Sequence, residues 1–255
     1  MVSIYSDLAR TGFQVDGLHM PAFLKKWFGV WVGSFLFAGC CNSATADASV
    51  GTADDNALLD RWLNAQTNLV TWSSEFVQIR KFPTLVNPLK TVGHVDFKAP
   101  HSFRWQLGEP AKTVAVRHTD EVLIYYPRLK RAERYPLSAE AKGPWKDAMS
   151  LLDAGFPRSR AELEDRFEIV KMECRDGLGF LSLVPKSLRS RRILTGLRIE
   201  FGEESMEMLA AEFEFADGSM MRTVYQNPSS NPELGDDLFE LKLGADVQIL
   251  EPASK

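Results

Sequence analysis

Apolar positions along this chain change their period several times, and each change marks an element. After a small, polar lead-in over residues 47–54, Leu58, Leu59, Trp62, Leu63, Gln66 and Leu69 recur at helical spacing, with Asp54 or Asp55 placed to cap the helix. Beyond Trp72 the period becomes two. Phe76 and Gln78 are followed by Val95 and Phe97 between His94, Asp96 and Lys98, then by Phe103, Trp105 and Leu107 around Arg104 and Gln106. Val114 and Val116 alternate with Thr113 and Ala115. The nearly all-apolar run Val122 to Tyr126, ended by Pro127, suits a strand covered on both faces.

Residues 138–166 return to the helical period, with Trp145, Met149 and Leu152 on one face and Gly155 as a stop. Ser159-Arg160-Ala161-Glu162 is a capping box that opens another helix. Strands resume at Phe167 to Met172, with a turn at Asp176-Gly177, and continue through Phe180 to Val184 and through Leu197, Ile199 and Phe201. Asp217-Gly218 between Met208 to Phe215 and Met220 to Tyr225 is the strongest hairpin signal in the chain. Phe239, Leu241 and Leu243, then Val247 and Ile249, finish the pattern. Roughly ten strands without βαβ alternation predict a mainly β, α+β fold: one antiparallel sheet rolled towards a barrel, with helices packed on it. Each strand offers one apolar and one charged face. The apolar side either closes an ordinary core or forms a concave cavity for a greasy ligand.

Composition narrows the picture. The 255 residues, 45% hydrophobic, supply one sizeable core, so a single domain is expected. A net charge of -4 supplies no basic field of the kind that holds nucleic acid by its phosphates. Basic residues do cluster at Arg128, Lys130, Arg131 and Arg134, and at Lys186, Arg189, Arg191 and Arg192. These are solvated loops or docking sites for acidic partners and anionic headgroups; neither run interleaves the aromatics that would stack on bases.

From Met20 the sequence runs through Lys25-Lys26, an uncharged stretch from Trp27 to Gly39, and the small residues Ala44-Thr45-Ala46. That is the order of a secretory signal, and a run of about a dozen apolar residues is short of the roughly 20 that span a bilayer. The expected division is an upstream extension over 1–19, a signal peptide over 20–46, the lead-in over 47–54 and one domain over 55–252. Two cuts compete. Ala46-Asp47 suits ordinary signal peptidase and a soluble periplasmic product, whereas Leu36-Phe37-Ala38-Gly39-Cys40 looks like a lipobox that would place a lipid anchor on Cys40. Ordinary cleavage leaves Cys174 alone among the three cysteines, with no internal disulfide.

Chemistry for an enzyme is not assembled. His94, His101 and His118 lack metal-ligand spacing, and His94 alternates outward on its strand. No Gly-x-Ser-x-Gly elbow or phosphate loop is present, and Gly177-Leu178-Gly179 has neither a third glycine nor a following helix. The acidic pairs Glu203-Glu204 and Asp236-Asp237 sit in apparent turns. A periplasmic hydrolase stays as the rival of a carrier with no cofactor and no metal.

Six motifs, in order, carry a resemblance. Phe76-Val77-Gln78 resembles a Phe-x-Gln first strand. Gly93-His94-Val95-Asp96-Phe97-Lys98-Ala99-Pro100 with Phe103-Arg104-Trp105 is similar to a Gly-x-hydrophobic-x-Phe-Lys-Arg-Pro and Phe-Arg-Trp block. Leu123 to Pro127, Leu181 to Lys186, Asp217-Gly218, and Asn227, Asn231 and Phe239 follow. Together they resemble the LolA family of outer-membrane lipoprotein carriers over nearly all of 56–252. The resemblance implies an incomplete antiparallel β-barrel with three helices as a lid over a hydrophobic cavity for lipoprotein acyl chains or another lipid or pigment. It also implies receipt from an inner-membrane ABC exporter, delivery to an outer-membrane acceptor lipoprotein, and a periplasmic chaperone, expected as a monomer.

Under that resemblance the cavity wall is Phe76, Val95, Phe97, Phe103, Trp105, Val114, Val116, Leu181, Leu183, Leu197, Ile199, Phe201, Phe213 and Phe215, and Trp62, Trp145 and Met149 are lid residues. Ala99 replaces the arginine that the family often carries before the proline, so lid gating differs or passes to Arg104. The connection from Lys81 to Lys90 is long and greasy. Leu85 and Val86 either touch a membrane, as in a LolB-like receptor, or fold back over the rim.

Overall fold

The computed structural model describes residues 53–118, 120–137, 157 and 159–251. The expected signal peptide, Cys40, and the expected helix with Trp145 and Met149 lie outside them. Helix α1 spans Ala53–Thr67. Strands β1 (Thr71–Lys81), β2 (Leu89–Lys98), β3 (Ser102–Leu107), β4 (Thr113–Arg117), β5 (Glu121–Tyr126) and β6 (Arg131–Pro136) follow as a meander. The short helix α2 (Arg160–Arg166) leads into β7 (Phe167–Arg175) and β8 (Leu178–Pro185). Then come α3 (Leu188–Arg191), β9 (Leu194–Gly202), β10 (Met208–Phe215), β11 (Met220–Ser230) and β12 (Gln248–Leu250).

All twelve strands form one sheet in the order β12-β6-β5-β4-β3-β2-β1-β11-β10-β9-β8-β7. The return to the first strand is made by β11, which pairs antiparallel with β1 along its whole length, Lys81 opposite Met220 at one end and Trp72 opposite Ser230 at the other. β12 and β6 run parallel while the other pairs are antiparallel. With β7 and β12 at its two edges the sheet is open, as expected of an incomplete barrel.

Local chemistry explains the joints. Ser159 caps α2 by accepting a hydrogen bond from the Glu162 amide at 3.1 Å, the capping box read from the sequence. At the β10–β11 hairpin, Asp217 Oδ1 accepts from the Ser219 amide at 2.9 Å, and Gly218 takes a positive φ of 78°. The Asp176-Gly177 turn places both residues in the left-handed region, φ 55° and 76°, the geometry of a tight hairpin turn. In α1 the carboxylates of Asp54 and Asp55 lie within the first turn, where they oppose the positive end of the helix dipole, and the helix ends at Thr67, short of Leu69.

Three elements depart from the expected pattern. β6 is a strand although its sequence reads Arg-Ala-Glu-Arg-Tyr-Pro, because its charges pair along the sheet: Arg131 with Glu133 at 3.1 Å and Arg134 with Glu121 at 3.1 Å. Around Phe239 the backbone makes a 3₁₀ turn over Asp236–Phe239 where a strand was expected. Arg189 and Arg191 belong to α3, a one-turn helix capped by Ser187.

Two glycines admit aromatic rings to the sheet. A Cβ on Gly179 would lie 2.4 Å from the Phe201 ring, and one on Gly93 would lie 2.3 Å from the Phe76 ring. Each ring thus lies over the glycine opposite it on the neighbouring strand. Gly179→Ala is expected to destabilise the fold by about 1–3 kcal/mol through overpacking against Phe201. Denaturant unfolding measures this, and an unchanged midpoint would show that the ring is not held there.

Candidate functional site

Side-chain alternation divides the sheet into two faces. The face covered by α1, the inner face, carries Phe76 (β1), Val95 and Phe97 (β2), Phe103 and Trp105 (β3), Leu181 and Leu183 (β8), Leu197, Ile199 and Phe201 (β9), and Phe213 and Phe215 (β10). All belong to one apolar cluster or pack directly against it. Twelve of the fourteen predicted wall residues therefore converge. The register explains it: Val95 faces Trp105, Phe97 faces Phe103, Leu181 faces Ile199 and Leu197 faces Phe213 across neighbouring strands. Sequence reasoning missed Ala115, Val122, Ile124, Tyr126, Ala211, Met221 and Tyr225, which complete the floor. Cross-strand register identifies them.

Val114 and Val116 are the two exceptions. They point to the outer face, where they pack with Phe239 beneath Leu234, Leu238 and Leu241. β4 is buried on both sides, so alternation alone could not say which set faced inward, and the partner of Trp105 is Ala115. Arg104, expected to take part in lid gating, is likewise on the outer face. It alternates with Phe103 and Trp105 and donates to the Leu238 carbonyl at 3.3 Å, holding the C-terminal segment.

Trp62, expected as a lid residue, sits on α1 against the inner face. It is 0% exposed, and its indole stacks on Phe201 with centroids 5.0 Å apart and planes inclined by 21°. With Leu58, Leu59 and Leu63 it seats α1 on the inner face. At the C-terminal end of α1, a cavity of about 300 Å³ opens between Gln66, Leu69, Trp72, Met206, Met208 and Asn231. Gln66 spans this seam, donating to the Met206 carbonyl at 3.2 Å.

The inner face is not uniformly apolar. Across β5 and β6 it carries Tyr126, Arg131, Glu133 and Tyr135. Tyr135 donates to Glu133 at 2.8 Å, and the Arg131 guanidinium lies 5.3 Å from the Tyr126 ring centroid. Burial, reinforced by Glu133, pushes both phenols well above their ordinary range. So the basic run around Arg131 is not simply a solvated loop. In the second run Lys186 donates to the Glu164 carbonyl and Arg191 to the Pro185 carbonyl.

Between β1 and β2 the chain projects outward. Val86 is 99% exposed and Leu85 48%, so neither side chain is buried against the rim. Leu89 and Val92 on β2 are exposed as well, on opposite faces of the strand.

His94 meets Ser73 and Asp96 on the outer face, a set of residue types that can form a nucleophile relay. The geometry is wrong for one. His94 Nε2 is 3.0 Å from Asp96 Oδ1 and 3.2 Å from Ser73 Oγ, so one ring nitrogen makes both contacts, and Ser73 donates to the same Asp96 oxygen at 2.7 Å. A relay needs the ring to bridge acid and nucleophile through its two different nitrogens. Among the described residues no cluster of metal-ligating side chains occurs, and no helix is long and apolar enough to cross a membrane.

Residues 67–242 match the family model described as outer membrane lipoprotein carrier protein LolA. An outer-membrane lipoprotein carrier protein from Xanthomonas campestris pv. campestris (strain B100) is 26% identical over 165 residues, covering 63% of this chain and 72% of that protein. One from Methylobacillus flagellatus is 24% identical over 159 residues, covering 61% and 71% respectively. Among solved structures, an uncharacterized conserved protein from Thermus thermophilus aligns with a TM-score of 0.46 at 10% identity, over 78% of this chain and 99% of that one. A LolA superfamily protein from Nitrosomonas europaea aligns at 0.38 and 10% identity, over 71% and 97%.

The outer-face triangle has a pH signature. Hydrogen bonding to Asp96 raises the His94 imidazole above its ordinary value, in excess of the opposing effect of burial. Burial pushes the Asp96 carboxyl up, but hydrogen bonds from His94 and Ser73 outweigh it and hold the group below the carboxylate range. The His94 contribution to stability is complete below the ordinary imidazole pKa and fades as pH rises through the raised value. The Asp96 contribution is complete above the ordinary carboxyl pKa and fades as pH falls through the depressed one. An NMR titration should place the His94 midpoint above that of an unperturbed histidine, and Asp96→Asn should lower it; an unmoved midpoint in the variant would contradict the pairing.

Proposed function

This chain belongs to the LolA family of outer-membrane lipoprotein carriers, and we propose that it carries the acyl chains of lipoproteins across the periplasm on the inner face of its sheet. The observation that carries the reading is the broad apolar floor that runs from β7 to β5, with α1 seated on it. Phe76, Val95, Phe97, Phe103, Trp105, Leu181, Leu183, Leu197, Ile199, Phe201, Phe213 and Phe215 are the proposed contacts. An alkyl chain buried there gains about 0.8 kcal/mol per CH₂, so a cargo of several chains is held firmly without any covalent step. Release follows from handover to an acceptor that buries the chains better.

Gating falls to α1. Trp62 occupies the floor by stacking on Phe201, so a chain that enters must displace an aromatic contact of similar chemistry, which keeps the exchange close to balanced. Methionines at the seam, Met206 and Met208, add side chains that repack around different chains.

The rest of the cycle follows from this reading. The segment over 20–46 exports the domain over 55–252, an inner-membrane ABC exporter loads it, and an outer-membrane acceptor lipoprotein unloads it. The protein acts as a monomer and performs no catalysis. The fully exposed Val86 favours one addition: the β1–β2 loop touches the bilayer at loading or unloading, with Lys81 and Lys90 at its base facing anionic headgroups.

Two measurements test these statements. Mass analysis and lipid extraction of the protein recovered from its native envelope should find bound lipoprotein or acyl lipid on a chain beginning near Asp47; a triacylated chain beginning at Cys40 would make it an anchored receptor instead. In vesicle flotation with anionic lipid, Leu85→Glu combined with Val86→Glu should abolish association without changing the melting temperature, and undiminished flotation would remove the loop from the mechanism.

A further inference from the structure

The inner face contains a small polar island amid its apolar floor. Gln78 and Thr223 stand opposite each other on β1 and β11, and Thr91 stands opposite Gln78 on β2. Gln78 and Thr223 are each 1% exposed, and Gln78 Nε2 and Thr223 Oγ1 are buried without a hydrogen-bond partner. The residues flanking this row are apolar: Phe76 and Tyr225 on one side, Met221 on the other. Arg80 lies one step further along the same face, and its Nε donates to Gln78 Oε1 at 2.7 Å.

Two features of the island are costly unless something binds there. A buried polar atom left unpaired loses its hydration with no return, so native folds rarely keep two side by side. Arg80 is also half-buried, burial pushes its guanidinium below the ordinary value, and among the described residues no carboxylate offsets that. The unspent groups are of one kind. The Gln78 amide nitrogen and the Arg80 guanidinium can only donate, the Thr223 hydroxyl can donate, and the buried indole nitrogen of Trp105, whose ring lies 4.4 Å from that of Phe76, is another unpaired donor. An apolar chain satisfies none of them. An oxyanion satisfies the donors and the charge together.

We propose that Arg80, Gln78 and Thr223 form a headgroup subsite that receives the oxyanion of an anionic amphiphile, a carboxylate or a phosphate, while its alkyl chain lies on the floor past Phe76 and Trp105. The subsite rests on the carrier reading and deepens it: the floor takes the chain, and the island selects an amphiphile with a negative head. Its position fits that order of events. Arg80 is the penultimate residue of β1, beside the projecting loop of Leu85 and Val86, so a headgroup reaches the island from the same end at which the loop meets solvent.

Competition against a fluorescent hydrophobic dye tests this with laurate, dodecyl phosphate and methyl laurate, which share a chain and differ in the head. Wild-type protein should bind an anionic probe about tenfold more tightly than methyl laurate, the advantage expected of charge-assisted hydrogen bonds. Preference for laurate assigns a carboxylate head, and preference for dodecyl phosphate a phosphate head. Arg80→Met should erase the difference while leaving methyl laurate affinity unchanged, which also certifies that the variant is folded. Thr223→Val should weaken the anionic probe yet raise the melting temperature, since it removes an unpaired hydroxyl; a purely structural threonine would not give both. Equal binding of all three probes by the wild type, or an equal loss of all three in Arg80→Met, would overturn the subsite and leave the carrier intact. If none of the probes displaces the dye, the carrier reading fails and the subsite with it.

Discussion

Everything in this molecule depends on one constraint: eleven antiparallel strands must keep their apolar alternates on the same side of a sheet that does not close. A slip of one residue in any ladder would turn that strand's apolar set to the opposite face. The register is therefore pinned repeatedly, by turns at Asp176-Gly177 and Asp217-Gly218 and by aromatic rings seated over Gly93 and Gly179. An open sheet with so wide an apolar face must be covered by something. Here the cover within the described residues is α1, held mainly through Trp62 and its neighbours, together with Leu163 of α2; these are contacts of the same chemistry that an alkyl chain would make. Under the proposed function, fold stability and cargo exchange would draw on the same surface.

The outer face solves the opposite problem. It carries charges in pairs, such as Arg222 bidentate on Glu200 at 2.7 and 2.8 Å, and Arg198 over the Phe180 ring at 4.8 Å. Where β4 presents Val114 and Val116 outward, the chain from Leu234 to Leu241 crosses over them, anchored by Phe239 and by Arg104 on the Leu238 carbonyl. β12 then adds a parallel strand to β6. The C-terminal segment is in this way a second cover, apolar beneath and charged at its ends through Lys98 with Asp236 and Lys130 with Asp246.

Strand alternation made the sheet legible from sequence wherever one face meets water: Val95 and Phe97, Leu197 and Ile199, and Phe213 and Phe215 were placed correctly because charged neighbours separate them. The same rule failed at β4, where both faces are buried and Val114 and Val116 look no different from Ala115. It failed again at β6, since Arg131 and Glu133 neutralise each other on the inner face and a sequence shows only their charges. Gln78 was visible within a Phe-x-Gln strand, but its partner Thr223 is 145 residues away and only the β1–β11 register brings them together. Lid positions at Trp145 and Met149 lie outside the described residues, so of the predicted lid only Trp62 has a place.

Photo-crosslinking measures most directly whether alkyl chains lie on the inner face. A fatty acid bearing a diazirine near its methyl end would be bound to the purified protein, irradiated, and its adducts mapped by peptide mass spectrometry. Adducts are expected on inner-face residues such as Phe97, Phe103, Trp105 and Ile199, suppressed by excess unlabelled lipid. Adducts concentrated on Val114, Val116 and Leu123 of the outer face, or spread without suppression, would contradict that placement.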